Sequence, residues 1–120
     1  MSTIKVTTIQ DTAGGNSSTS EEIYNGRAKA WVNFNGQGTV AARADFNVNS
    51  IGDNGSSGDY TVNFLTSFAD ANYAMVATSG GTINSSGVVE NYLTARTTGL
   101  VRLYSNNAID SAQFSVAIFR

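Results

Sequence analysis

The chain contains no cysteine, no histidine and no proline among its 120 residues. Without cysteine there are neither disulfides nor thiolate metal sites, so stability rests on burial, hydrogen bonding and association. Without histidine the commonest general base and the commonest transition-metal ligand are both missing. Charge is scarce as well: Asp, Glu, Lys and Arg make up 13% of the chain, about half the share usual in soluble domains. Seven scattered basic residues and a net charge of −2 offer no stripe for nucleic acid, so no nucleic-acid partner is expected. No apolar run approaches the roughly 18 residues needed to cross a bilayer, and the opening residues lack a basic segment followed by an apolar core. Neither a membrane span nor a secretory leader is expected, and synthesis in a cytoplasm follows.

Uncharged Ser, Thr, Asn and Gly fill the space that charge leaves. With Trp31, five Tyr and six Phe spread along the chain, this is not the low-hydrophobicity, high-charge signature of disorder. Thr, Asn, Gly and aromatics favour strands and tight turns over helices. The length suits one domain.

The pattern along the chain divides it at residue 28. In residues 1–27, Ile4 and Val6 share one face of a short strand or extended arm, Lys5 and Thr7 the other, and Ile9 breaks the phase. A linker rich in Gly, Asn and Ser follows, and Glu21–Tyr24 can begin a short helix with Ser20 as its N-cap. Residues 28–120 then alternate strand patterns with polar turns. Ala28–Asn35 places Ala30, Val32 and Phe34 on one face and Trp31, Asn33 and Asn35 on the other, and Asn35-Gly36-Gln37-Gly38 signals a hairpin. Thr39–Ile51 predicts one strand with Ala42, Ala44, Phe46 and Val48 on the inner face. Further strands are expected around Tyr60-Val62-Phe64, over Tyr73–Thr78, over Val88–Thr97 with Tyr92 and Arg96, over Leu100–Ser105, and from Gln113 to Arg120. Strands every 8–15 residues, joined by short turns, predict an all-β fold: an antiparallel β-sandwich or small barrel with an extended N-terminal arm.

Most chemistries find no footing here. Serines are plentiful, but no histidine can activate one, and Lys5 and Lys29, the only lysines, sit in no recognisable Ser–Lys motif. The acidic residues fall mostly at turns, where Asp bonds nearby backbone, rather than as a catalytic pair. The Asp53–Asp59 loop faintly resembles an oxygen-rich calcium loop but lacks a closing bidentate Glu, and reads as a Gly-rich hairpin turn. No enzymatic activity, cofactor or metal is expected. Three Asn-x-Ser matches, at Asn16, Asn54 and Asn84, are chance in so Asn- and Ser-rich a chain.

The residues that stand out are those that make contacts. Trp31 lies on the polar side of its strand, as an interface or sugar-stacking residue does, or as core of a two-sided strand. Tyr92 with Arg96, and Arg102 with Tyr104, form Tyr/Arg faces of the kind enriched at protein interfaces. Ile4, Val6 and Ile9 could grip a neighbour by strand addition.

Two segments resemble a known family. Ser2-Thr3-Ile4-Lys5-Val6-Thr7-Thr8-Ile9-Gln10-Asp11 is similar to the opening of many phage fibre and virion proteins. Lys29-Ala30-Trp31-Val32-Asn33-Phe34-Asn35-Gly36-Gln37-Gly38-Thr39-Val40 resembles a block common in virion structural proteins of phages of marine and freshwater bacteria, cyanobacteria among them. Gln37 stands where that pattern carries Thr or Ser. Phe46–Ile51, Asp59–Phe64 and Asp70–Ala74 continue the block, so the resemblance covers residues 2–78. It implies a β-rich module displayed on a bacteriophage virion, typically a homotrimer, and carries over no active site. Two placements follow from it. One is a capsid decoration (cement) protein seated on the major capsid protein or another virion protein. The other is a tail-fibre or receptor-binding tip that recognises a host surface glycan.

Overall fold

The computed structural model describes residues 1–80, 87–90 and 96–120. Its architecture is all-β and antiparallel, with one short helix. Chain order begins with β1 (Thr8–Ile9), β2 (Ser18–Thr19) and α1 (Ser20–Gly26). It continues with β3 (Ala30–Asn35), β4 (Ala41–Phe46), β5 (Val48–Asp53), β6 (Asp59–Phe64) and β7 (Ala74–Gly80). It ends with β8 (Val88–Glu90), β9 (Leu100–Ser105) and β10 (Gln113–Phe119). Two four-stranded sheets, ordered β4-β3-β10-β7 and β5-β6-β9-β8, face each other, and β1 and β2 form a separate two-stranded ribbon.

Strict alternation builds the core. Ala30, Val32 and Phe34 of β3 meet Phe114, Val116 and Ile118 of β10, and across the gap Tyr60, Val62 and Phe64 of β6 meet Val101 and Leu103 of β9. Each residue i, i+2, i+4 set points inward because successive strand side chains point to opposite faces. At one end of the sandwich, Phe34 stacks on Phe114 with ring centroids 4.9 Å apart, and Tyr60 meets both rings edge-on at 5.3 and 5.0 Å. At the other end Phe64, Phe68 and Tyr73 form a second aromatic group. The Tyr60 hydroxyl lies 2.7 Å from the Gly36 carbonyl and 2.6 Å from an Asp110 carboxylate oxygen, which also accepts from the Gly58 amide. Burial, and secondly the contact with Asp110, push that phenol well above its ordinary range, so it stays a neutral donor. Gly36 permits this closure: a Cβ there would lie 2.6 Å from both the Phe114 ring and the Tyr60 hydroxyl.

The strand expected over Thr39–Ile51 is two strands in two sheets. It breaks at Asn47, which has φ 54°, a left-handed conformation that Asn tolerates better than most residues. The Asn47 side-chain amide donates to the Lys29 and Thr66 carbonyls, and its oxygen accepts from the Thr66 amide. Three bonds thus hold the corner where the chain leaves the first sheet for the second. The expected inner face is corrected with it. Phe46 and Val48 do not share a face: β4 is exposed along its whole length, while Val48 packs against the core from the other sheet.

Smaller differences have local causes. The helix is capped by Thr19 rather than Ser20, because Thr19 and Glu22 close a reciprocal capping box. The strand at 73–78 begins one residue later and runs to Gly80, with Tyr73 turned into the core instead. Of the strand expected over Val88–Thr97, β8 forms its start and Arg96 makes an isolated bridge to Val101; residues 91–95, and the loop 81–86, lie outside the described residues.

Candidate functional site

Pairing register places side chains on the outer face of the first sheet as surely as on the inner one. Phe46 pairs with Trp31, Trp31 with Ala117, and Ala117 with Val76. Directly opposed residues share a face, so these four form one apolar row across all four strands. With neighbouring strands about 4.8 Å apart, the row runs about 14 Å. Its large members are open to solvent: Trp31 is 40% exposed, Phe46 54% and Val76 62%. The adjoining row, Ala44, Asn33, Ser115 and Thr78, is small and polar, and a shallow groove runs between Trp31 and Val76 over Ala117. Asn33 is tied down, its amide donating to the Phe114 carbonyl and the Ser115 hydroxyl. The wall beside Trp31 is therefore fixed. A second hollow, lined by Tyr24, Arg27, Lys29, Trp31 and Phe46, continues the row toward α1. There Lys29 donates to the Tyr24 carbonyl, and its ammonium lies 3.5 Å from the centroid of the Tyr24 ring.

The outer face of the second sheet has the opposite chemistry. Asp59, Thr61, Asn63, Arg102 and Tyr104 point outward there. Asp59 is only 5% exposed because the Arg102 guanidinium grips both its carboxylate oxygens, at 2.8 and 2.5 Å. That hydrogen bonding holds the Asp59 carboxyl below its usual value against the opposing effect of burial, and raises Arg102 in turn. Asn54 donates to both Asp59 and Thr61, and Asn63 donates to Ser50. The Asp53–Asp59 loop is a hairpin turn between β5 and β6; of its two carboxylates Asp59 is held by Arg102 and Asp53 accepts from the Gly55 amide.

The residues singled out from the sequence scatter over the molecule. Trp31 stands on the first outer face, and Arg102 and Tyr104 on the second. Arg96 sits beside Tyr73, its guanidinium donating to the Tyr73 carbonyl and lying 5.0 Å from the ring centroid. Tyr92 lies outside the described residues. Ile4, Val6 and Ile9 are all exposed in the N-terminal segment, where Ile9 belongs to β1. Sequence reading missed Phe46, Val76 and Ala117 as companions of Trp31. The hairpin signal at Asn35-Gly36-Gln37-Gly38 pointed to a β3–β4 pairing. A register shift between Asn33 and Phe34 then decides which β4 residue meets Trp31, and alternation alone does not encode it.

The comparisons with known proteins return nothing: no family model, no curated protein and no solved structure matches the chain. What stands established is the class of fold, an antiparallel all-β sandwich, with two outer faces of contrasting chemistry.

Proposed function

We propose that this chain is a structural protein of a bacteriophage virion. In this reading it is a homotrimeric capsid decoration protein that seats on the major capsid protein and works by fitting against neighbours. The observation that carries the assembly part is the exposed row Phe46–Trp31–Ala117–Val76. A four-stranded sheet that leaves Trp, Phe and Val open to water gains stability when another surface covers them. A chain without cysteine has no disulfide to add to what its core supplies. The virion part rests on the resemblance carried by residues 2–11 and 29–40.

The test is the copy number of the chain in purified particles, measured against the major capsid protein by quantitative mass spectrometry. The decoration reading predicts a fixed ratio to the capsid protein, and capsids that lose heat resistance without the chain while still attaching to the host. A copy number that follows the tail, with attachment lost, replaces it by the tail-fibre or receptor-binding reading. Absence from the particle overturns both.

A further inference from the structure

The N-terminal segment and the β4 edge match each other in pleat and in charge. Residues 1–7 precede the β1–β2 ribbon and are exposed throughout, with Ile4 88% accessible. The molecule has a long axis of 51 Å against 31 and 28 Å, and a radius of gyration of 17.1 Å where a compact chain of this length has about 14 Å. In an extended conformation Ile4 and Val6 share one face and Lys5 takes the other. The end strand of the first sheet has the complementary order. Ala44 and Phe46 of β4 lie on the apolar outer face, and Asp45, paired with Val32, lies on the other side. This half of β4 keeps regular register with β3, while the irregularity lies beyond it at Arg43. As the end strand, β4 has one edge with no neighbour among the described residues, where main-chain N–H and C=O groups can take a partner.

Neither Lys5 nor Asp45 has an ion-pair partner among the described residues. Arg43, the cation nearest Asp45 in the chain, is engaged with the Ala112 carbonyl and Asn33. A strand laid along β4 with Lys5 opposite Asp45 sets Ile4 and Val6 beside Ala44 and Phe46, whichever way it runs. The row Phe46–Trp31–Ala117–Val76 then gains a fifth apolar member, and a lone cation meets a lone carboxylate.

We infer that residues 3–7 of one copy add as a fifth strand to the β4 edge of another copy, with Lys5 facing Asp45. The inference rests on the assembly reading above and adds to its face contact an edge contact that forms only while the face contact holds. β-Strand addition draws affinity from main-chain hydrogen bonds and register from alternate side chains. Here the alternate side chains are two aliphatics and one lysine, against alanine, phenylalanine and one aspartate.

The absence of native cysteine makes the test clean. Lys5→Cys and Asp45→Cys are co-expressed as separate chains, one enlarged by a tag, and oxidised. Directly opposed strand residues have Cα atoms about 4.5–5.5 Å apart, within disulfide range. A mixed Lys5→Cys/Asp45→Cys dimer on a non-reducing gel is expected, with an Ile9→Cys/Asp45→Cys control giving none. Separately, Lys5→Asp or Asp45→Lys alone weakens self-association several-fold, and the two together restore it; failure of that rescue counts against the pairing. Oligomers that sediment normally but give no mixed disulfide overturn the arm placement and leave the assembly reading standing. A double variant that closes its disulfide within one chain also overturns it, because the arm then returns to its own edge. A wild-type protein that stays monomeric at every concentration overturns both.

Discussion

The two outer faces of the sandwich share a scaffold and differ in what they need. The β5-β6-β9-β8 face satisfies itself: Arg102 covers Asp59, Asn54 bridges Asp59 and Thr61, and Asn63 reaches Ser50. The β4-β3-β10-β7 face leaves Trp31, Phe46 and Val76 in water, and the Trp31 indole N–H is the one hydrogen-bonding group these three side chains carry. Both faces are the reverse side of the same kind of inward alternation, so the core does not force the difference. Folding the monomer draws chiefly on the inner faces, and much of what each strand carries outward is free to serve another purpose. On the second face that freedom goes to a local polar network, and on the first to a surface suited to contact.

Four substitutions sharpen this contrast, from the largest effect on the monomer to the smallest. Phe34→Ala removes a ring with 0% exposure that stacks between the sheets, and both faces depend on it. A loss of about 3–5 kcal/mol in urea-derived stability is expected, a large part of what a small domain has. Tyr60→Phe deletes the hydroxyl that meets Gly36 and Asp110 and leaves those acceptors short of a donor, with a cost of about 1–3 kcal/mol by the same measurement.

Arg102→Leu breaks the self-satisfied face, leaving Asp59 buried without its cation. Because the folded-state pKa of Asp59 lies below its unfolded value, the pair stabilises the fold above about pH 4, and that contribution drains away as pH falls through the folded value. A pH series of denaturation midpoints should therefore show a flatter acid limb in the variant, and a lower midpoint at neutral pH. An unchanged acid limb would mean that the pair contributes nothing. Val76→Lys places a charge on the contact face at an exposed site. Monomer stability should move by no more than about 0.5 kcal/mol, while self-association is lost. If Val76→Lys unfolds the protein and Arg102→Leu does not, the two faces have been assigned the wrong roles.

Much of the core was legible because alternation is a local property. Ala30, Val32, Phe34, Tyr60, Val62, Phe64, Phe114, Val116 and Ile118 all face inward as their spacing predicts. The corner at Asn47 was not legible. Phe46-Asn47-Val48-Asn49 keeps the apolar/polar alternation of a strand straight through the corner, and the bonds to Lys29 and Thr66 that select the turn come from segments distant in sequence. One missed corner moved Phe46 from the inner face to the outer one and hid the row it forms with Trp31. The position of Trp31 on the non-core side of its strand was visible, but its companions depend on register across three strand pairings. Arg102 and Tyr104 share a face as their spacing requires. That Arg102 is held by Asp59 depends on the β6–β9 pairing, which no local pattern records.

The most direct test of the contact face is sedimentation velocity of the wild type and of Val76→Lys over a hundredfold range of concentration, with circular dichroism to establish that both are folded. The account predicts that the wild type sediments as a trimer that dissociates on dilution, and that folded Val76→Lys sediments as a monomer throughout. A wild type that is monomeric across the range, or a variant that assembles as the wild type does, would contradict it.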